Sequence, residues 1–457
     1  MTNKRILFWG AGASANLNIP TTLQQSNLLS DYFFSKNEKQ FIGKSDRFLS
    51  EHQAKLLFSM KLEEDMQKEY SIKKLNEYVN SFFEKHSFTM QNLFESLDAQ
   101  IYDCKTLMSG NKYFTAQDAF IMRRGMLVLL QSIFSDVIST AQEGNVSQKY
   151  VDFFKIAAVG ILEDKIHQIQ SGMDITTKDF MFSDISYIST NWDVSFLWSM
   201  FIAHMELNDQ NGCWCCYKGK NTKLKIFNDF STYMAAKYID GNDDKKLWYP
   251  YSAPVATRVN DADHIADRIV TLIRTYLPHG QTNWLECPVC KKLNMYLGDE
   301  WNLNSPTLAM QNPQSKSYKC LHCGNDNLTT ADASMLMQSL HKVKPPYIQE
   351  IQTDMKLRIQ QADTIIFVGY SLPQDDIEYR TIFTQSGKKK IYVVLYEENA
   401  GTEWYKASEI KANKQDNKDT IKRFTDLFGE KNVKVTFAGF PEADKLILKT
   451  LKGEKKE

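Results

Sequence analysis

The sequence predicts an α/β protein: a parallel, Rossmann-like sheet interrupted by a large helical insertion and a small four-cysteine module. Three observations carry this. Short apolar runs of buried-strand length stand near both ends of the chain, at Ile6–Trp9, Thr364–Val368 and Ile391–Leu395. Between Leu23 and Gly172, glycine and proline are sparse and apolar residues recur at three- and four-residue spacing. Two Cys-x-x-Cys pairs sit in the C-terminal half. At 457 residues and 43% hydrophobic content, the chain has room for two or three domains and a sizeable core.

Taken in order, Ile6-Leu7-Phe8-Trp9 reads as a buried strand ended by Gly10, followed by a loop that Pro20 stops. Helices are expected over Phe82–Leu97, Ala119–Ile138 and Tyr150–Ile169. Ile185–Ser189 is a second strand. The polar and aromatic stretch from about Asn208 to Pro254 reads as an irregular insertion. Ala262–Tyr276 reads as a helix broken by Pro278, and Gln349–Gln361 and Asp419–Leu427 as further helices. Thr364–Val368, Ile391–Leu395 and Val433–Phe437 are strands. Strands alternating with helices at both ends predict a doubly wound parallel sheet.

Acidic and basic residues balance at 55 each, and the pI is about 7.1. That removes the clustered excess of basic charge on which a nucleic-acid surface rests, so no direct nucleic-acid binding is expected. Lys388-Lys389-Lys390 and the tail from Lys452 read as solvated charge. No run of eighteen apolar residues occurs, so no membrane span is expected. Met1–Arg5 leads into a run of only four apolar residues before Gly10, too short for a signal peptide, and a cytoplasmic location is the natural expectation.

In a reducing compartment eight cysteines argue for metal rather than disulfides. Cys287-x-x-Cys290 and Cys320-x-x-Cys323 read as a four-thiolate zinc site. With every position filled by cysteine, that zinc is expected to be structural. His322, inside the second pair, is expected to face solvent, and Cys213, Cys215 and Cys216 read as free thiols.

Gly10-x-Gly12-x-x-Ala15 directly after a strand approximates a dinucleotide fingerprint. Residues without bulk let backbone approach a pyrophosphate, and Ser14 adds a hydroxyl. A tight strand-to-helix turn without a ligand would use the same glycines. Asp31 is a poor match for the ribose-binding acid expected about twenty positions on. Ser189-Thr190-Asn191-Trp192-Asp193 follows a strand, where ligands of such sheets sit. His279-Gly280 follows Pro278; its imidazole can act as a base near neutral pH or serve a structural role.

In this order the motifs resemble those of the sirtuins, the silent information regulator superfamily. These carry a Gly-Ala-Gly-x-Ser loop ending in Ile-Pro, then Thr-Gln-Asn-x-Asp, His-Gly, two cysteine pairs and Gly-x-Ser. Here the matches are Gly10-Ala11-Gly12-Ala13-Ser14 with Ile19-Pro20, Ser189–Asp193, His279-Gly280, the cysteine pairs and Gly369-Tyr370-Ser371. The resemblance implies an inverted Rossmann-like domain and a zinc module with NAD between them. It implies Gly10, Ala11, Gly12 and Ser14 at the NAD phosphates, Pro20 as a further cofactor-binding residue, and Asn191 and Asp193 as catalytic residues at the nicotinamide ribose. His279 would be general base, and Gly369, Ser371 and Tyr396 would flank the adenosine end. Residues 1–22 would open the NAD-binding domain, with 23–173 the helical insertion. Residues 174–278 would continue the domain with an irregular insertion, 279–345 form the zinc module, and 346–457 complete the domain.

Two departures set the chain apart from the deacylases of that family. Thr21-Thr22-Leu23 stands where they carry Asp-Phe-Arg, and no Phe-Gly-Glu follows the cysteines. Asn18 replaces the glycine before Ile-Pro, a residue that tolerates positive φ. The chain looks instead like the divergent sirtuin-like NADases of bacterial anti-phage defence, which share the segment seen here as Gly369-Tyr370-Ser371-Leu372-Pro373-Gln374-Asp375-Asp376. This implies NAD hydrolysis to nicotinamide and ADP-ribose as an effector of abortive infection. It also implies a homo-oligomer and a regulatory protein partner from the same defence system. The alternatives are a NAD-dependent lysine deacylase and a non-catalytic NAD or ADP-ribose sensor.

Overall fold

The computed structural model describes residues 3–62, 71–141, 145–209, 212–240, 243–248, 252–261, 268–298, 319–325, 333–336, 344–374 and 376–453. Its strands, in chain order, are β1 (Arg5–Trp9), β2 (Leu107–Ser109), β3 (Lys112–Phe114), β4 (Phe182–Ser189), β5 (Cys213–Tyr217), β6 (Lys220–Asp229), β7 (Met234–Asp240) and β8 (Asp243–Trp248). They continue with β9 (Arg268–Tyr276), β10 (Gly280–Glu286), β11 (Leu293–Gly298), β12 (Ala333–Met335), β13 (Thr364–Val368), β14 (Lys390–Val394), β15 (Tyr405–Lys406) and β16 (Val433–Thr436).

The principal sheet has the order β15-β16-β14-β13-β1-β4-β9-β6-β5. β1 is parallel to both β13 and β4, with Trp9 level with Val368 and Ser189. From β1 the chain builds outward through β4, β6 and β9. It then returns to the other side of β1 with β13 and continues to β14 and β16. The winding therefore reverses between β1 and β13, and the crevice beyond their C-terminal ends is where such sheets bind ligands. Ile6, Leu7, Phe8 and Trp9 are wholly buried, as befits a central parallel strand covered on both faces.

The expected helical span holds the helices Thr22–Phe34, Glu38–Ser45, Glu51–Met60, Ile72–Phe82, Met90–Tyr102, Ala116–Ala141 and Asn145–Gln170, with the β2–β3 hairpin between two of them. Asn37, Ser50 and Thr89 cap three of these helices through side-chain oxygens. The span is not a detached unit. Leu29, Phe33 and Leu93 share one continuous core with the sheet strands, and the Tyr150 hydroxyl donates to the Ala13 carbonyl at 2.6 Å.

Five expectations are corrected. The segment 208–254 is not irregular: the helix Ser195–Asp209 runs into it and β5–β8 fill most of it, with β6 parallel to β9 inside the principal sheet. The helix expected over Ala262–Tyr276 is strand β9 from Arg268 on, while residues 262–267 lie outside the described residues. Ile269, Val270, Leu272 and Ile273 are all wholly buried, so burial on both strand faces imitated a helical period. Asn260 fixes this strand with two 2.8 Å hydrogen bonds to the Val270 backbone.

The helix expected over Phe82–Leu97 is two helices, because the chain turns extended at Phe83 and restarts after the Thr89 cap. The loop expected after Gly10 is a 3-10 helix, Ala11–Leu17, closed by Asn18 at φ 58°. Lys389 is buried rather than solvated. Its amine donates to the Gln360 and Ala362 carbonyls at the end of the helix Pro346–Gln361.

A second sheet, β12-β10-β11-β7-β8, joins β7 and β8 to the segment that carries the cysteines. Among the described residues no helix is long and apolar enough to cross a membrane.

Candidate active site and candidate metal centre

Two loops meet at the point where the winding reverses. The Gly10 N–H donates to the Val368 carbonyl and the Gly12 N–H to the Gly369 carbonyl, both at 2.9 Å. A Cβ added to Gly10 would lie 2.7 Å from the Gly369 oxygen, and one added to Gly369, at φ +63°, would lie 2.0 Å from the Ala13 nitrogen. The glycines thus let one backbone lie against another. Leu372, at φ 50°, curls the second loop back so that its side chain is buried. Ala11, Pro20, Asn191, Asp193, His279, Gly369 and Ser371 all line one cleft there, which encloses about 690 Å³ including its open mouth. Gly10, Gly12 and Ser14 are not among the residues that line it.

Asn191 stands just past β4, 5% exposed. Its amide donates to the Gly10 carbonyl at 3.2 Å and to the Ser14 hydroxyl at 3.1 Å. Its Oδ1 has no hydrogen-bond partner among the described residues, although it is buried. Ser14 is itself wholly buried and lies 3.2 Å from the Ser195 hydroxyl. Asp193 accepts from both the backbone N–H and the hydroxyl of Ser195 at the start of the helix Ser195–Asp209. Burial pushes the Asp193 carboxyl above the usual carboxylate range, against the lowering effect of these hydrogen bonds. Asp193, Ser195, Ser14 and Asn191 therefore form one buried chain of polar contacts under the cleft.

His279 lies between β9 and β10, 5% exposed. Its Nδ1 is 3.1 Å from the Thr190 carbonyl and its Nε2 is 3.1 Å from the Tyr379 hydroxyl. A carbonyl only accepts, so this pattern assigns the neutral ring a proton on Nδ1 and a lone pair on Nε2 that accepts from Tyr379. Tyr379 is buried against Phe8, Tyr370 and Phe383. Burial, with help from Asp376 and Glu378, holds its phenol well above its ordinary pKa, so it stays a donor.

The sequence reading did not find Tyr379. The signal available was an aromatic side chain on the helix Ile377–Thr384, directly after the Gly369–Asp376 segment. Tyr370 is likewise engaged, donating to Asp376 Oδ2 at 2.5 Å. Asp375 lies outside the described residues.

Tyr396 does not join the cleft. It is exposed and lines a separate hollow of about 970 Å³ with Asn16, Lys149, Glu397 and Asn399. Asp31 sits away from the cleft lining and pairs with Lys44 and Lys85 at 3.1 and 2.8 Å.

The four cysteines converge as a metal centre would require. The Sγ atoms of Cys287, Cys290, Cys320 and Cys323 all lie within 4.8 Å of one another. Cys287 and Cys323 are 3.8 Å apart, and Cys290 and Cys320 are 3.6 Å apart. Sulfurs at these separations share no disulfide, whereas a tetrahedron of zinc–sulfur bonds of about 2.3 Å has edges of about 3.8 Å. Each pair sits on a similar tight turn, with Lys291 and Gly324 at φ 59° and 73° directly after the second cysteine. The donor set and spacing fit zinc and leave no open coordination position. His322 is not simply solvent-facing: its Nε2 lies 2.9 Å from the Leu293 carbonyl. Cys213, Cys215 and Cys216 are free thiols.

No family model matches the chain, and no curated protein matches it. A solved structure described as "Structural Basis for the Mechanism and Regulation of Sir2 Enzymes" aligns with 93% of this chain and 92% of its own, at 11% identity and a TM-score of 0.25. A likeness at that TM-score assigns no activity and no site residue.

Proposed function

We propose that the chain is a sirtuin-like NAD+ hydrolase that cleaves the nicotinamide–ribose bond to give nicotinamide and ADP-ribose. One observation carries this reading. Ala11, Asn191, His279 and Gly369, from four motifs far apart in sequence, line a single cleft at the point where the sheet winding reverses. That is the constellation which the motif order implied. Thr21-Thr22-Leu23 beside the cleft favours hydrolysis over deacylation.

In this reading the cleavage passes through an oxocarbenium-like ribosyl cation. The C–N bond pair goes to the nicotinamide ring, which is already cationic and leaves neutral. Water forms the new C–O bond, and its proton leaves through His279. Asn191 Oδ1, buried and unpartnered among the described residues, orients that water. Asp193 holds the Ser195–Ser14–Asn191 chain in place rather than touching substrate. The N–H groups of Gly10 and Gly12 are used within the protein, so the phosphates meet Ala11 and the start of the 3-10 helix. Gly369 and Ser371 flank the dinucleotide. The four cysteines hold a structural zinc, which supplies cross-linking and no chemistry to the reaction.

We assign the chain, on the same reading, to NAD depletion in anti-phage defence, acting in the cytoplasm as a homo-oligomer under a regulatory protein partner. The test of the chemistry is nicotinamide release from NAD+ by purified protein, with and without an acetyl-lysine peptide. Release independent of peptide supports the hydrolase, and release only with peptide identifies a deacylase instead. The defence role requires cellular NAD to fall when cells carrying the chain meet phage, and unchanged NAD would remove it.

A further inference from the structure

His279 cannot serve as a base while both of its ring nitrogens have partners. The contact at Nε2 is not incidental. Gln352 donates to the carbonyl of Pro278, the residue before His279, at 3.1 Å. Lys344 donates to Gln352 at 2.7 Å and to Glu378, the residue before Tyr379, at 2.6 Å. One lysine therefore ties together the backbone positions that carry the imidazole and the phenol. Tyr379 is also walled in by Phe8, Tyr370 and Phe383, so it does not leave by a simple side-chain rotation.

We propose that Tyr379 is a positioning residue that masks His279: the phenol occupies Nε2, the Lys344 clamp keeps it there, and turnover requires Tyr379 to withdraw. The inference rests on His279 being the base of the hydrolase reading. It makes the resting protein slow toward NAD and gives a regulator a mechanical target. A partner that shifts the helix Ile377–Thr384, or competes for Lys344, frees the base without touching the cleft. The alternative, a phenol that relays a proton between substrate and imidazole, gains nothing from the geometry, because Tyr379 is not among the residues lining the cleft.

Tyr379→Phe keeps the ring packing and removes only the hydroxyl. In the full-length protein, Y379F is expected to raise kcat for nicotinamide release at least several-fold, with KM for NAD changing less than about twofold. Lys344→Met, which leaves the phenol in place but loosens the clamp, is expected to move kcat the same way by less. The nitrogen resonances of 15N-histidine-labelled protein, with His279→Ala assigning the signal, give a readout independent of turnover. In Y379F the Nε2 resonance is expected to move toward that of a ring nitrogen without a hydrogen bond. Loss of kcat in Y379F overturns the masking role, as does an unmoved Nε2 resonance whatever the turnover. If neither wild type nor Y379F releases nicotinamide, the hydrolase reading fails, and the resonance still decides whether the phenol holds the ring.

Discussion

Asn191 reaches across to the glycine loop and donates to the Gly10 carbonyl at 3.2 Å, joining residues 181 positions apart in the chain. The bond links the ends of two neighbouring strands, β1 and β4. It also spends the donors of the amide on the protein, so that the acceptor Oδ1 is what remains. Asn191→Ala is therefore expected to lower stability by about 1 kcal/mol, because the buried Gly10 carbonyl and Ser14 hydroxyl each lose one hydrogen bond and keep only the Ala13 N–H and Ser195 as partners. Denaturant unfolding checks this, and Asn191→Asp, whose carboxylate would face the Gly10 carbonyl, should be no better tolerated.

Gly369→Ala tests the contact between the two loops. The new methyl would lie 2.0 Å from the Ala13 nitrogen, and the residue would have to hold φ +63°. A loss of at least about 2 kcal/mol is expected from the backbone conformation and overpacking together. Gly387→Ala is the control: its φ is also positive, at +75°, but nothing lies within 4 Å of its added Cβ. It should lose only the conformational part.

The cysteine centre is expected to hold one zinc per chain, and Cys287→Ser or Cys320→Ser to lose it. Elemental analysis of the purified protein checks the first point. Chelation should lower the melting temperature while leaving no catalytic metal to restore, since all four positions are thiolate. Full zinc content in both serine variants would contradict the assignment.

Asp193 gives a pH dependence of known sign. Burial raises its folded-state pKa above that of the unfolded chain. The folded state then favours the protonated carboxyl, so this contribution to stability is fully present below the ordinary carboxylate pKa. It is lost as pH rises through the raised value. Asp193→Asn keeps an acceptor for the Ser195 N–H and hydroxyl but carries no charge. Its melting temperature relative to wild type should rise with pH across that window and level off above it.

Much of this site was legible in the sequence because it is written in short, ordered motifs. Gly10–Ser14, Asn191, His279 and Gly369 converge although each alone had a bland explanation. The cysteine pairs were legible for the same reason, since their spacing encodes their geometry. What failed was pattern reading where burial hides the period. β9 is buried on both faces, so Ile269, Val270, Leu272 and Ile273 show no alternation. β6 and β7 lie in a polar, aromatic stretch whose composition imitates a loop. Tyr379 was invisible because its role depends on the helix Ile377–Thr384 folding back onto β10's doorstep, a tertiary event with no local signature. Lys389 was misread for a similar reason: only the end of a neighbouring helix supplies the carbonyls that bury its amine.

The most direct measurement is nicotinamide release from NAD+ by the purified full-length chain, set beside Asn191→Ala and His279→Ala. A hydrolase built as proposed should release nicotinamide and ADP-ribose in equal amounts without any peptide. Each variant should fall at least about a hundredfold, the scale of losing a group that positions the reacting water or accepts its proton. Nicotinamide release that survives unchanged in both variants would contradict the assignment of the reaction to this cleft.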